Sequence, residues 1–546
     1  MLRIKYFIFF NLLLISSLFL NHFSLAVPPP DWLPKSKQPT CHTNTKAQME
    51  RLNLQKKFAP FLAPPISATT YKLAVIRVDF PDKTMSKTKA QTESDFNKFR
   101  DFYLENSFNL LTVSFTVTSG GSGSEGAFGL FKNHSYYAKG IDSKYEELVL
   151  DAIATATAGG FNFSSYDHVM LYHAGEGSET SSSPNSLIWS VYFSSIGDGP
   201  KASGKTFPGI TVVPEDEVGS VEPLGVICHE YGHQLGLPDL YNTSTGGNAI
   251  GKWSLMDGGS YLGTPQGLYP AHLDAWSKLF LGFSNPQTIT YTEETAKTIS
   301  QAQTSRTGFI RLPIEVSATG GSNEYFLLEY RRIGGATYDT GIPGQGLLIW
   351  HIDDSIASDS TKLSNNTVNV DPSHKGVDLV EADSSDPSSN NGDSGDPWSD
   401  ASSETVFKSP KANAYNATDS GIQVSDISTP GFSSISFKIK MPFSNPTVAQ
   451  NSVSVRGGEK GYTNPELGEK ALISFKPSKS EPIEIKIFSL NGDLVWETKV
   501  DGTQNQKKDI NWDGKNSDGT TVSSGIYLLH VSGGGINSKK KVAIAR

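Results

Sequence analysis

Apolar runs along this chain are mostly short and are bounded by Pro, Gly, Asn or Asp, the pattern of strands and turns. The first run is different. Arg3 and Lys5 open an apolar stretch from Ile4 to Leu20, followed by Ser24-Leu25-Ala26 and then Val27-Pro28-Pro29-Pro30. A charged start, an apolar middle and small residues at the end describe a secretory signal peptide over residues 1–26. The rival reading is a membrane anchor, because the run is nearly long enough to span. Small residues two apart, followed at once by prolines, favour cleavage. No later segment has enough uninterrupted apolar residues to cross a bilayer, so a secreted, extracellular protein with no transmembrane anchor in the mature chain is expected.

Residues 27–66 are polar and proline-punctuated and read as a short pro-segment or spacer. Tyr71 to Phe80 predicts a buried first strand, stopped by Pro81-Asp82. Aromatic and apolar residues at helical spacing from Phe96 to Leu111 predict a core-facing helix, and Tyr145 to Ala158 a second. His168 to Tyr172 predicts a strand that runs into His173-Ala174-Gly175-Glu176-Gly177. A third helix is expected from Glu222-Pro223, with Leu224, Val226, Ile227 and Leu235 on its buried face. Pro270 to Trp276 starts a fourth that ends by Gly282. From residue 286 to 441 strand patterns dominate (Phe326–Arg331, Gly346–Asp353), with a loop rich in Ser, Asn, Asp and Gly from Ser384 to Asp400. In residues 442–546, Ile483 to Phe488 alternates as a half-buried strand and turns at Asn491-Gly492-Asp493. The fold class is α+β, with a mixed sheet and helices in residues 67–285, a β-rich block in 286–441, and a small β-sandwich in 442–546.

At 546 residues the chain is too long for one core. A net charge of −9 argues against a nucleic-acid partner, since phosphate binding needs basic patches. Its 2 cysteines are too few for a disulfide framework or a thiolate zinc cluster.

Chemistry concentrates in His229-Glu230-Tyr231-Gly232-His233, followed by Gly236 and Asp239. Residues four apart share a helix face, so both imidazoles can reach one metal ion while Glu230 stands beside them as a base. Gly236 can leave the helix in a left-handed turn, and Asp239 is the nearest residue able to supply a third ligand. The competing reading is a pair of buried histidines bonded to carbonyls. The segment continues through Leu237-Pro238-Asp239-Leu240-Tyr241 to Gly251-Lys252-Trp253-Ser254-Leu255-Met256-Asp257. As a whole it resembles the immune inhibitor A family of secreted bacterial zinc metalloproteases, a branch close to the metzincins. That resemblance, which covers roughly residues 67–441, implies a metzincin-like zinc protease core acting on proteins or peptides. It implies His229, His233 and Asp239 as ligands of one catalytic zinc, Glu230 as general base and Met256 in a turn under the metal. Many metzincins have His where this chain has Asp239. The pro-segment is much shorter than is usual in the family. The His173-Ala174-Gly175 element and Leu187-Ile188-Trp189-Ser190 match family segments beside the cleft, where backbone can align a peptide; His173 is expected to be structural or cleft-lining. Trp512-Asp513-Gly514 and Ser524-Gly525-Ile526-Tyr527-Leu528 look like the Ig-like domain of flagellar hook-capping proteins and, more weakly, like type IX secretion signals. Such a module could attach the enzyme to a cell surface or matrix, or merely space it.

Other features carry weaker signals. Tyr261 is a candidate oxyanion donor or plain packing. Gly392-Asp393-Ser394-Gly395-Asp396-Pro397 resembles the nucleophile motif of trypsin-like proteases, but Asp396 stands where that family has Gly and no matching His or Asp segment precedes it. A turn binding structural calcium through Asp393, Asp396 and Asp400 is the better reading, with Asp79 and Asp82 equally eligible. Cys41 could cap zinc or pair with Cys228, or both could be ordinary thiols. A non-catalytic surface adhesin that kept the protease fold is the alternative function; the intact His229, Glu230 and His233 argue against it.

Overall fold

The computed structural model describes residues 24–25, 68–138, 142–181, 186–193, 200–289, 292–314, 323–383, 385–441, 448–457 and 462–546. The region expected as a pro-segment, with Cys41, lies outside the described residues.

Strand β1 (Thr69–Asp79) lies inside the first sheet, next to its edge, and is buried over its last seven residues. Helix α1 (Lys89–Asn106) follows, then β2 (Leu111–Val117), α2 (Asp142–Ala158), β3 (His168–Glu176), β4 (Val191–Phe193) and β5 (Ile210–Asp216). Strands β2, β1, β3 and β5 run parallel in that order, and β4 adds antiparallel to β5. Ser24–Leu25, expected at the end of a leader, pairs antiparallel with the outer side of β4. Apolar runs such as Leu73–Ile76 and Val169–Tyr172 are continuous because both faces are covered. Tyr172 faces Phe96 of α1, while its neighbour His173 faces His134 and Phe80 on the other side.

Helix α1 starts and ends earlier than its apolar spacing predicted. A capping box between Thr88 and Gln91 sets its start, and Leu111 already belongs to β2. Helix α3 (Leu224–Gln234) is buried along its whole length, not on one face, and packs on α1 and β5. Helix α4 (Ala275–Phe280) starts later than expected: Asp274 caps it by accepting from Ser277 N, so Pro270 to His272 stay outside the helix.

A five-stranded sheet follows. Gln287–Thr288, β6 (Phe309–Pro313), β7 (Glu324–Arg331), β8 (Gly346–Asp353) and β9 (Val377–Leu379) lie side by side. Its two faces serve different cores. Leu327, Leu348 and Trp350 join the cluster that holds the first sheet and α3, while Phe326, Leu328 and Ile349 pack against Phe407, Val424 and Phe437. The chain ends in two further sheets, of three and four strands, closed over Ile473, Phe475, Ile485, Ile487, Trp512 and Leu529.

Candidate metal centre

The geometry at the end of α3 follows from its stop signal. Gly236 takes φ +105°, a conformation that needs no Cβ, and two reverse hydrogen bonds close the helix: Gly236 N–H to His233 O (2.9 Å) and Leu237 N–H to Gly232 O (3.0 Å). The turned-back Leu237 carbonyl then accepts from His233 Nδ1 at 2.8 Å. On the facing turn the Leu255 carbonyl accepts from His229 Nδ1, also at 2.8 Å. A carbonyl can only accept, so each Nδ1 carries the proton and each Nε2 keeps its lone pair. The two Nε2 atoms are 3.1 Å apart, and Asp239 Oδ1 lies 3.0 Å from one and 3.2 Å from the other.

Three donor atoms at these separations match three corners of a tetrahedron around a small divalent ion, since bonds of roughly 2.0–2.1 Å put corners about 3.3 Å apart. All three side chains are fully buried. Burial pushes the His229 imidazole down, against the pull of Asp239, so the ring is held neutral. Burial pushes the Asp239 carboxyl the other way, but the two imidazoles outweigh it and hold it below the usual carboxylate range. Two imidazole nitrogens and a carboxylate oxygen suit zinc. Glu230 is buried in the same turn.

Two supports were not visible in the sequence. Asn366, in the β-rich block, accepts from Asp239 N through Oδ1 (2.7 Å) and donates through Nδ2 to Asp239 Oδ2. It sits at φ +53°, which asparagine tolerates better than most residues. Nearby, Asn369 Nδ2 donates to Leu240 O at 2.9 Å. Met256 lies directly under α3: a Cβ on Gly232 would come within 2.8 Å of its Sδ. Asp257 holds this turn by accepting from the N–H groups of Ala249, Ile250 and Gly251 (2.8–2.9 Å).

The remaining singled-out residues are placed as follows. Tyr261 packs with Val221 and Val226 and lines a cavity of ≈ 870 Å³ with Lys252, Thr264, Tyr269 and Thr340, a lining that does not include His229, His233 or Asp239. His173 is buried, its Nδ1 donating to Ala174 O at 3.0 Å. Cys228 is a buried free thiol pushed well up by burial. Ser394 is exposed, and no histidine among the described residues bonds to it. The expected trio Asp393, Asp396 and Asp400 is corrected in one member. Carboxylate oxygens of Asp383, Asp393 and Asp396 lie within 4.8 Å of one another, whereas Asp400 accepts from Thr429 Oγ1. Asp383 precedes the predicted loop, and the chain's return past Asn391 is what brings it in. Asp79 and Asp82 bind separate backbone groups, Ser124 N and His134 N.

The site has the pattern of a helix-borne His-Glu-x-x-His motif. Comparison with known proteins narrows it. Residues 159–285 match the immune inhibitor A peptidase M6 catalytic domain, and residues 463–535 match the FlgD Ig-like domain. The chain thus carries a peptidase M6 domain and, at its C-terminus, a FlgD Ig-like domain. Immune inhibitor A of Bacillus thuringiensis subsp. alesti is 31% identical over 229 residues, 34% of this chain and 32% of that protein. The pre-pro-metalloprotease PrtV of Vibrio cholerae serotype O1 (strain M66-2) is 35% identical over 133 residues, 21% of this chain and 14% of that protein. The chain thus spans about a third or less of the length of these relatives. A crystal structure of OgpA from Akkermansia muciniphila aligns over 89% of the chain at 8% identity with a TM-score of 0.25, too low to bear on the fold.

Proposed function

We propose that this protein is a secreted zinc metalloendopeptidase. The observation that supports it most directly is the trio of buried donor atoms, His229 Nε2, His233 Nε2 and Asp239 Oδ1, each within 3.2 Å of the others. These three residues would hold the ion and leave one position for substrate or water. When bound, zinc would polarise the scissile carbonyl and lower the pKa of a water to about 7. The chain's own part is positional and protonic. The Leu255 and Leu237 carbonyls aim the two imidazoles, and Asn366 aims Asp239. The Glu230 carboxylate accepts a proton from the attacking water and returns it to the departing amine nitrogen. Tyr261 is a candidate donor to the developing oxyanion.

Calcium is assigned a structural role at Asp383, Asp393 and Asp396, where Asp396 Oδ1 is buried without a hydrogen-bond partner. Asp396 Oδ2 accepts from Trp253 Nε1 at 2.6 Å, which ties this loop to the turn bearing Met256. Secretion is inferred from the leader-like start; among the described residues no helix is long and apolar enough to cross a membrane. Protein or peptide substrates follow from the peptidase reading, and attachment to a cell surface or matrix is assigned to the Ig-like domain.

The test is hydrolysis of casein by the purified protein with and without a chelator, with zinc measured per chain. Glu230→Ala should keep its zinc and lose activity by about three orders of magnitude or more, the general-base share plus its coupling to the nucleophile. His233→Ala should lose the metal. Undiminished hydrolysis by metal-free protein, or by Glu230→Ala, rejects the mechanism and leaves the adhesin reading.

A further inference from the structure

We propose that Glu179 and Glu217 hold a second divalent cation, of the calcium class, between the ends of β3 and β5. The two side chains are 0% and 1% exposed. One oxygen of each is taken: Glu179 Oε1 accepts from Ser190 N (2.5 Å) and Glu217 Oε2 from Thr180 Oγ1 (2.8 Å). The other two, Glu179 Oε2 and Glu217 Oε1, are buried with no hydrogen-bond partner, as is the hydroxyl of Ser190. The free oxygens converge. A Cβ built on Gly177 would lie 2.3 Å from Glu179 Oε2 and 2.8 and 2.9 Å from the two oxygens of Glu217, so only a glycine fits this cradle.

No lysine or arginine among the described residues pairs with either carboxylate. The ion pair of Lys83 with Glu176, at 3.8 Å, involves a side chain 44% exposed. Glu176 and Asp216, paired across β3 and β5, add two more acids at the same strand ends. Two buried anions without a counter-charge must share a proton or a cation. A shared proton satisfies one pair of oxygens. A hard cation takes six to eight oxygen donors and neutralises both charges, which also accounts for the Ser190 hydroxyl and the fitted glycine. The ion would staple the turn Gly177–Thr180 to β5 and to Ile188–Ser190, segments already joined by Gly177 N to Asp216 O (2.9 Å) and Ser178 N to Ile188 O (3.0 Å). This site is independent of the zinc reading and of the Asp383 group.

Calcium binding to the full-length protein, measured by equilibrium dialysis, tests it directly. Glu179→Gln/Glu217→Gln should bind one calcium fewer per chain than wild type, whereas Asp383→Asn/Asp396→Asn should leave this site filled. Gly177→Ala, which keeps both carboxylates, should weaken the same calcium at least tenfold. Thermal melts separate the proton alternative. Burial pushes both carboxyls up, Glu179 to about 7, so in chelator stability is full at acid pH and falls as pH rises from about 4.5 through about 7. Calcium should abolish that fall. Unchanged calcium stoichiometry in the double glutamine variant, or a fall with pH identical in calcium and chelator, overturns the proposal in favour of a shared proton.

Discussion

Asp239 shows how much a single side chain depends on its neighbour. One of its oxygens faces the imidazoles, and the other, with its backbone N–H, is held by Asn366. Without that partner the carboxylate can rotate away from the imidazoles at little cost. Asn366→Ala should therefore weaken zinc binding by about 10–100-fold, the usual penalty for losing a group that orients a ligand, while the circular dichroism of the fold is unchanged. Competition with a chromophoric chelator measures this directly, and an unaltered affinity would remove Asn366 from the site. Nothing in the sequence marks Asn366 over the other asparagines; only its left-handed backbone and its bonds to Asp239 single it out.

Strand β3 carries two buried histidines five residues apart, which the pleat turns to opposite faces. His168 Nδ1 meets Tyr231 OH of α3 at 2.8 Å, and His173 faces His134. Burial pushes His168 from its ordinary 6.5 down to about 4 and His173 to about 3. The unfolded chain takes up these protons first as pH falls, so stability is full above about 6.5 and is lost as pH drops through about 4. His168→Gln, which can keep a hydrogen bond to Tyr231, should flatten that acid limb by roughly 3 kcal/mol at most. Urea unfolding at a series of pH values reads the slope; a variant as acid-sensitive as wild type would show that His168 does not contribute.

The whole molecule rests on shared cores. The sheet of β6 to β9 buries one face against the same cluster as α3, so residues after 285 complete the interior that holds the helix bearing His229 and His233. The C-terminal sandwich has its own cluster, Val453 to Ile544. A chain ending at residue 441 should therefore fold and keep proteolysis within about twofold, losing one calorimetric transition. One ending at residue 285 should not fold, because α4, with Trp276, would lose the packing of β7 and β8, and the cluster would lose Leu327, Leu348 and Trp350. Calorimetry and near-ultraviolet circular dichroism of the two truncated chains decide this. A cooperative transition in the shorter one would contradict the shared core.

Local physics made part of this legible in advance. Four-residue spacing on a helix is enough to pair His229 with His233, and a glycine with positive φ is enough to end that helix and turn the chain back toward Asp239. Alternation and apolar runs likewise marked β1, β3, β7 and β8 close to their observed limits, because a covered sheet admits little else. What no spacing could reveal are groups that meet across more than a hundred residues: Asn366 with Asp239, and Asp396 with Trp253. Asp383, which displaces Asp400 from its predicted group, lies close in sequence to Asp393, and the local return of the chain brings it in. The two distant encounters depend on how two-faced sheets stack, a long-range outcome of burial that leaves no periodic trace in either segment.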